Sequence, residues 1–183
     1  MKKIMTVTGG LDSLLLMLTQ HADEYVYINY GQKYKKYELD VLDKVLDGYT
    51  VLELKDKIKI ADSGFFEARN FKILHKIRET YLNDDLLVYF GTNAEDVFPD
   101  NSPLFMSNLE YVFNNSYNRK MRIVQPLKDM DKREISDRLE TIMSERDIKV
   151  YPRWCLSEQK DACGDCKSCK TMKYNNIYEK WVK

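Results

Sequence analysis

The apolar positions of this chain alternate between short continuous runs and stripes at helical spacing. Ile4 to Val7 is a short apolar run that predicts a buried strand, and Leu14 to Leu18 predicts the first turns of a helix. Glu24 to Tyr30 reads as a second strand, closed by Gly31. From Lys33 to Leu46 the pattern turns helical, with Tyr34, Tyr37, Val41 and Val45 on one stripe. Tyr49 to Leu54 is a third strand, and Phe71, Leu74, Ile77 and Tyr81 line another amphipathic helix. Leu86 to Phe90 is a fully apolar run, as expected of a parallel strand covered on both faces, and Arg122 to Val124 is a weaker fifth. Asp131 with Glu134 reads as a capping box, opening a helix whose apolar face is Ile135, Leu139, Ile142 and Met143. Strands alternating with helices predict an α/β fold: a doubly wound, mostly parallel five-stranded sheet. Nothing reads as a linker or repeat, so residues 1–183 are expected to form one domain. Residues 151–183 form a C-terminal subregion of different character, with a helix over about Lys167 to Trp181.

Composition narrows the class without naming a ligand. The 183 residues suffice for one domain with a full core, and at 44% hydrophobic and 32% charged they are neither disordered nor membrane-spanning. Met1-Lys2-Lys3 opens like a signal peptide, but glycines and Asp12 arrive too early for an apolar core segment. Lys plus Arg balances Asp plus Glu at 29 each, so no global field draws the chain to nucleic acid or to a membrane. A cytoplasmic protein with a small-molecule partner is the expectation.

Candidate chemistry concentrates in two places. Between the first strand and helix lies Val7-Thr8-Gly9-Gly10-Leu11-Asp12-Ser13-Leu14. Its glycines let the backbone approach an anion, and the helix behind directs free N–H groups and its positive dipole end at the same spot. Thr8 and Ser13 add hydroxyls, and Asp12 could hold Mg²⁺ on a phosphate. The lysine of the common G-x-x-x-x-G-K-[ST] loop is missing; an ordinary strand–helix turn is the alternative reading. The second place is the spacing C-x7-C-x2-C-x2-C formed by Cys155, Cys163, Cys166 and Cys169. Four thiolates suit a closed tetrahedral Zn²⁺ site, and an iron–sulfur cluster can use the same set. The polar clusters Gly31-Gln32, Gly91 to Asp96 and Pro126 to Lys132 follow strands two, four and five, where ligands bind in such sheets.

The glycine turn resembles the S-G-G-x-D-S loop of the PP-loop ATP pyrophosphatase superfamily, with Thr8 at the serine position. With the cysteine loop, the chain resembles the 7-cyano-7-deazaguanine synthases of queuosine biosynthesis, the QueC-like family, nearly end to end. Asn29-Tyr30-Gly31-Gln32 is similar to that family's N-Y-x-Q, and Phe65 to Asn70 to its F-V-P-x-R-N. Gly91 to Asp96 with Phe98-Pro99-Asp100 resembles its G-x4-D and Y-P-D segments, and Pro126-Leu127 with Lys132 its P-L-x4-K. Departures are Glu67 for proline, Asn101-Ser102 for Cys-Arg, Trp154 before Cys155, and a cysteine loop one residue shorter.

The resemblance implies an ATP-dependent C–N ligase that turns 7-carboxy-7-deazaguanine and ammonia into the nitrile through adenylated intermediates. It implies ATP at residues 7–14, catalytic Asp12 and Lys132, and base or adenylate contacts from Gln32, Arg69, Asn70, Asp96 and Asp100. It also implies ATP, Mg²⁺ and Zn²⁺ as cofactors, and a homodimer. Two alternatives stand beside it. One is a related enzyme that stops at the amide or adenylates another target; the other is a non-enzymatic zinc-bearing nucleotide-binding module.

Overall fold

The computed structural model describes residues 1–54 and 68–182. The segment Phe65-Phe66-Glu67 lies outside the described residues. The strands are β1 (Lys2–Thr6), β2 (Glu24–Asn29), β3 (Thr50–Glu53), β4 (Leu86–Tyr89) and β5 (Met121–Val124). They form one parallel sheet in the order β3-β2-β1-β4-β5. The expected α/β class and five-stranded parallel sheet are therefore as the sequence reads.

Alternation along each strand sends neighbouring side chains to opposite faces. Ile4 of β1 joins the core under helices α3 (Arg69–Thr80) and α4 (Pro103–Ser116), with Ile73, Leu74, Ile77, Met106, Leu109 and Phe113. Met5, next along the strand, joins the opposite core with α1 (Leu11–Thr19), α2 (Lys35–Leu42) and α5 (Lys132–Glu145). That second core is completed by Met172 of α6 (Lys167–Tyr174) and Trp181 of α7 (Tyr178–Trp181). Trp181 Nε1 donates to Ser136 Oγ on α5 at 2.8 Å, so the buried indole is satisfied where it docks. Among the described residues, no helix is long and apolar enough to cross a membrane.

Three elements differ from expectation. The pattern from Lys33 to Leu46 holds regular helix only over α2, and hydrogen-bonded turns carry it on to Leu46. Helix α4 has no counterpart in the sequence reading. Its start is nonetheless well specified: Ser102 Oγ accepts from Phe105 N at 3.1 Å, and Pro103 occupies the first helical position. The expected C-terminal helix is two helices. Asn176, at φ 55°, ends α6 with Ile177 N bonded to Met172 O and Asn176 N to Lys173 O. That left-handed residue with its paired bonds is a Schellman stop, which asparagine tolerates better than most.

Candidate active site

The strand order reverses between β1 and β4, so the loops after these strands diverge and open a crevice at their carboxyl ends. A cavity of about 370 Å³ fills it. Its floor is the turn after β1. Thr8 N donates to Ser13 Oγ at 2.9 Å and Gly10 N to Thr8 Oγ1 at 3.4 Å, folding the turn back on the helix start. Gly9 has φ +76°, and a Cβ there would lie 2.8 Å from Glu38 O and 3.0 Å from Val41 Cβ. Only glycine meets both the backbone angle and the close packing on α2. α1 starts at Leu11 with no side-chain cap, and its first intrahelical bond runs from Leu14 N to Gly10 O. The N–H groups of Leu11, Asp12 and Ser13 thus lack intrahelical acceptors at a positive dipole end. Val7, Thr8, Gly10, Leu11, Asp12 and Ser13 line the cavity; Gly9 lies beneath the turn and Leu14 in the core.

Beside the turn, the capping box of α5 sets the helix start that carries Lys132. Asp131 Oδ1 accepts from Glu134 N and Glu134 Oε2 from Asp131 N, both at 2.8 Å. Lys132 Nζ then makes a hydrogen-bonded ion pair with Asp12 Oδ2. Burial works against the ammonium charge, but the Asp12 carboxylate outweighs it and holds Lys132 above the usual lysine range. Asp96 stands beside this pair. Its carboxyl is pushed up by burial first and by the Asp12 charge second. Asn93 N and Nδ2 donate to Asp96 Oδ2 at 3.1 and 3.2 Å, fixing that loop.

A third wall comes from the start of α3 and the turn at Pro99–Asn101. Asn70 is fully buried, and its Nδ2 donates to Asp100 O at 3.0 Å and to Asn101 Oδ1. Arg69 Nε donates to Asn70 Oδ1 at 3.2 Å. Arg69, Asn70 and Asp100 line the cavity, as do Asp96 and Lys132. Gln32 does not. Its Oε1 accepts from Tyr30 N, while Nε2 donates to Tyr27 Oη at 2.6 Å and Ile28 O at 3.1 Å. The structure places Gln32 behind the wall, where it orders Tyr27 and Glu38.

Glu38 itself belongs to no motif, though it falls on the same helical stripe as Tyr34, Val41 and Val45. It is 93% buried by its 7% exposure, lines the cavity, and accepts from Tyr27 Oη at 2.6 Å. Burial pushes its carboxyl up to about 7, against the downward pull of Tyr27, Gln32, Arg153 and Arg69. Arg153 is the second residue that belongs to no motif. Its N donates to Gly9 O at 2.8 Å, and its guanidinium holds the carbonyls of Ser157, Gln159 and Lys160 at 2.7 to 2.9 Å.

That arginine leads into the cysteines. The sulfurs of Cys155, Cys163, Cys166 and Cys169 all lie within 4.8 Å of one another, and Cys155 and Cys166 are 3.9 Å apart. Tetrahedral Zn–S bonds of about 2.3 Å require sulfurs about 3.8 Å apart, so the set fits a closed tetrahedral metal. Cys163 N points at Cys155 Sγ and Cys166 N at Cys163 Sγ, at 3.3 and 3.4 Å, donors suited to thiolates. Trp154, Cys155, Leu156 and Lys167 of this C-terminal subregion form a wall of the same cavity.

The family model described as "Queuosine biosynthesis protein QueC" matches residues 54–175, about two thirds of the chain. The chain belongs to the QueC family. Its QueC relatives include proteins named 7-cyano-7-deazaguanine synthase. The one from Methanococcus maripaludis strain C5 is 25% identical over 94% of this chain and 93% of its own. Those from Chlorobaculum parvum and Pyrococcus horikoshii are 26% and 24% identical, over 92% and 91% of this chain and 88% of each relative. A solved structure described as a "predicted subunit of tRNA methyltransferase" from Methanocaldococcus jannaschii aligns with a TM-score of 0.48. It is 18% identical and covers 80% of this chain and 89% of that one.

Proposed function

We propose that this QueC-family chain is an enzyme, an ATP-dependent ligase that converts 7-carboxy-7-deazaguanine and ammonia into 7-cyano-7-deazaguanine. The observation carrying the reading is that the uncapped start of α1, with Asp12 in its first turn paired to Lys132, lines one cavity. A carboxylate oxygen is a poor leaving group and an adenylate a good one, so the chemistry needs a site that stabilises a departing pyrophosphate. The N–H groups of Leu11, Asp12 and Ser13, the hydroxyls of Thr8 and Ser13, and the Lys132 cation are donors of that kind. The substrate carboxylate attacks the α-phosphorus and the bond to pyrophosphate breaks. Ammonia then adds at the acyl carbon and AMP leaves, giving the amide. A second ATP activates the amide oxygen; AMP leaves as the nitrogen gives up two protons and the C≡N bond completes. Positioning and charge stabilisation carry most of the catalysis.

Mg²⁺ fits the site through Asp12, since an ion carried by a triphosphate takes one or two carboxylates from the protein. It would supply charge neutralisation on the phosphates. The four-thiolate set is assigned to Zn²⁺, a structural ion with no open position. Asn101 and Ser102, the departures from the family pattern, do not line the cavity. Asn101 Oδ1 accepts from Asn70 Nδ2 and Ser102 caps α4, while Phe98 and Asp100 line the cavity. This favours the nitrile-forming reading over one that stops at the amide.

Product mass spectrometry tests it: purified protein with Mg²⁺, ATP, ammonia and 7-carboxy-7-deazaguanine should yield the nitrile, AMP and pyrophosphate. Amide alone, or no product beside turnover of a different carboxylate, would refute the assignment.

A further inference from the structure

The Glu38 carboxylate has one oxygen committed and one open. Tyr27 Oη and Gln32 Nε2 both lie on Oε2, at 2.6 and 3.4 Å. The direction of these bonds is fixed. Gln32 Nε2 donates to Tyr27 Oη, so the Tyr27 hydroxyl proton points to Glu38, and Gln32 Oε1 is held by Tyr30 N. No hydrogen bond reaches Glu38 Oε1 from the described residues, and Glu38 faces the cavity. The surrounding cavity wall is Val26, Ile28, Tyr30 and Tyr34, with the Tyr30 and Tyr34 hydroxyls 3.1 Å apart. The phosphate donors and Lys132 belong to the turn after β1 and the start of α5. This wall offers aromatic and apolar surface, with the Tyr30 and Tyr34 hydroxyls and Arg69 beside it and Glu38 Oε1 as its open carboxylate acceptor.

Oε1 is open to the cavity on an otherwise buried residue, and a ligand N–H there would take the place of solvent in a hydrogen bond to a carboxylate. A largely aromatic and apolar slot with one carboxylate acceptor suits a flat heterocycle that presents an N–H edge. We propose that Glu38 Oε1 is the specificity-determining acceptor for the N–H edge of a nitrogen heterocycle seated against Val26, Ile28, Tyr30 and Tyr34. Tyr27 and Gln32 are positioning residues: they hold Oε2 so that Oε1 points to the ligand. Two sources share this chemistry, the 6-amino group of ATP and the ring N–H and 2-amino group of the deazapurine. The identity of these two ligands rests on the function proposed above; the role of the acceptor does not.

Calorimetry on the full metal-loaded chain distinguishes the sources. In the wild type, ATP is compared with the triphosphate of purine riboside, which lacks the amino group. 7-Carboxy-7-deazaguanine is compared with its 2-deamino analogue. One pair should differ at least tenfold in Kd. In Glu38→Gln the amide oxygen can keep the Tyr27 contact while an NH₂ group faces the ligand, so that difference should collapse. A collapse in the ATP pair assigns Glu38 to adenine, and a collapse in the other pair assigns it to the deazapurine. If neither pair differs in the wild type, the proposal is overturned without recourse to any variant. It also fails if Glu38→Gln, folded as judged by cooperative unfolding, keeps the wild-type difference. A wild type that binds ATP but not the deazapurine would sink the proposed reaction, yet the ATP pair would still judge Glu38. A wild type that binds neither ligand would overturn both.

Discussion

Glu38→Gln should make the ligand-free protein more stable, and increasingly so as pH rises. The Glu38 carboxyl is raised from 4.5 to about 7 because burial disfavours its charge. At about 1.4 kcal/mol per unit, that shift makes the ionised carboxylate cost about 3 kcal/mol in the folded state. The folded chain holds the proton more tightly than the unfolded chain between these values. The favourable protonated form is therefore fully present below about 4.5, and its contribution is lost as pH rises through about 7. Glutamine does not titrate, so the stability difference between variant and wild type should be small near pH 4.5. It should grow to a plateau of about 3 kcal/mol above pH 8. For a chain of this size that plateau is roughly 6–12 °C in Tm. Thermal unfolding of both proteins from pH 5 to 8.5 reads it directly. Parallel pH profiles would refute the reasoning, as would a variant less stable than wild type at pH 8.

Three more expectations follow from the same geometry. Asp12→Ala should lower the rate of pyrophosphate release by roughly 10²–10³-fold with the fold retained, since it removes a phosphate-site carboxylate and the anchor of Lys132; an unchanged rate in a pyrophosphate assay would remove Asp12 from the mechanism. Gly9→Ala should destabilise by roughly 2–4 kcal/mol in urea titration, from the left-handed backbone and the 2.8 Å approach to Glu38 O; a loss under 0.5 kcal/mol would mean that the turn can move away from α2. Metal analysis should find one zinc per chain, and Cys169→Ser, at a fully buried sulfur, should release it and lower Tm; full metal content in that variant would exclude four-thiolate ligation.

The sheet was legible because its strands obey one rule each: Leu86 to Tyr89 is apolar throughout because β4 is covered on both faces. The phosphate turn and the cysteine set were legible because their chemistry is local, within eight and fifteen residues. Helix α4 was not. Leu104, Tyr111 and Val112 are exposed, which blurs the stripe of Met106, Leu109 and Phe113. Glu38 escaped notice for a different reason. It falls on the stripe of Tyr34, Val41 and Val45, but a carboxylate beside Lys35, Lys36 and Asp40 gives no apolar signal, and the approach of Gly9, Tyr27 and Arg153 from other elements completes its burial. Gln32 shows the converse: a loop glutamine after a strand suggests a ligand contact, but the tertiary fold spends each of its polar atoms on the chain itself.

The two cores on either side of the sheet finish at different points of the chain. The one under α3 and α4 has its last buried member at Met121, so a chain growing from its N-terminus can close that side once β5 emerges. The other, which packs the helix behind the phosphate turn, draws on Leu139, Met172 and Trp181. Until those last residues leave the ribosome, Leu14, Leu15 and Leu16 of α1 lack part of their cover. Synthesis at about 5–20 residues per second would leave that apolar face open for some seconds. A nascent chain stalled before α6 would thus have all five strands of its sheet but one face incompletely covered, a natural substrate for chaperones. Loading of the four-thiolate site, whose last ligand is Cys169, falls within the same interval as the closing of that side.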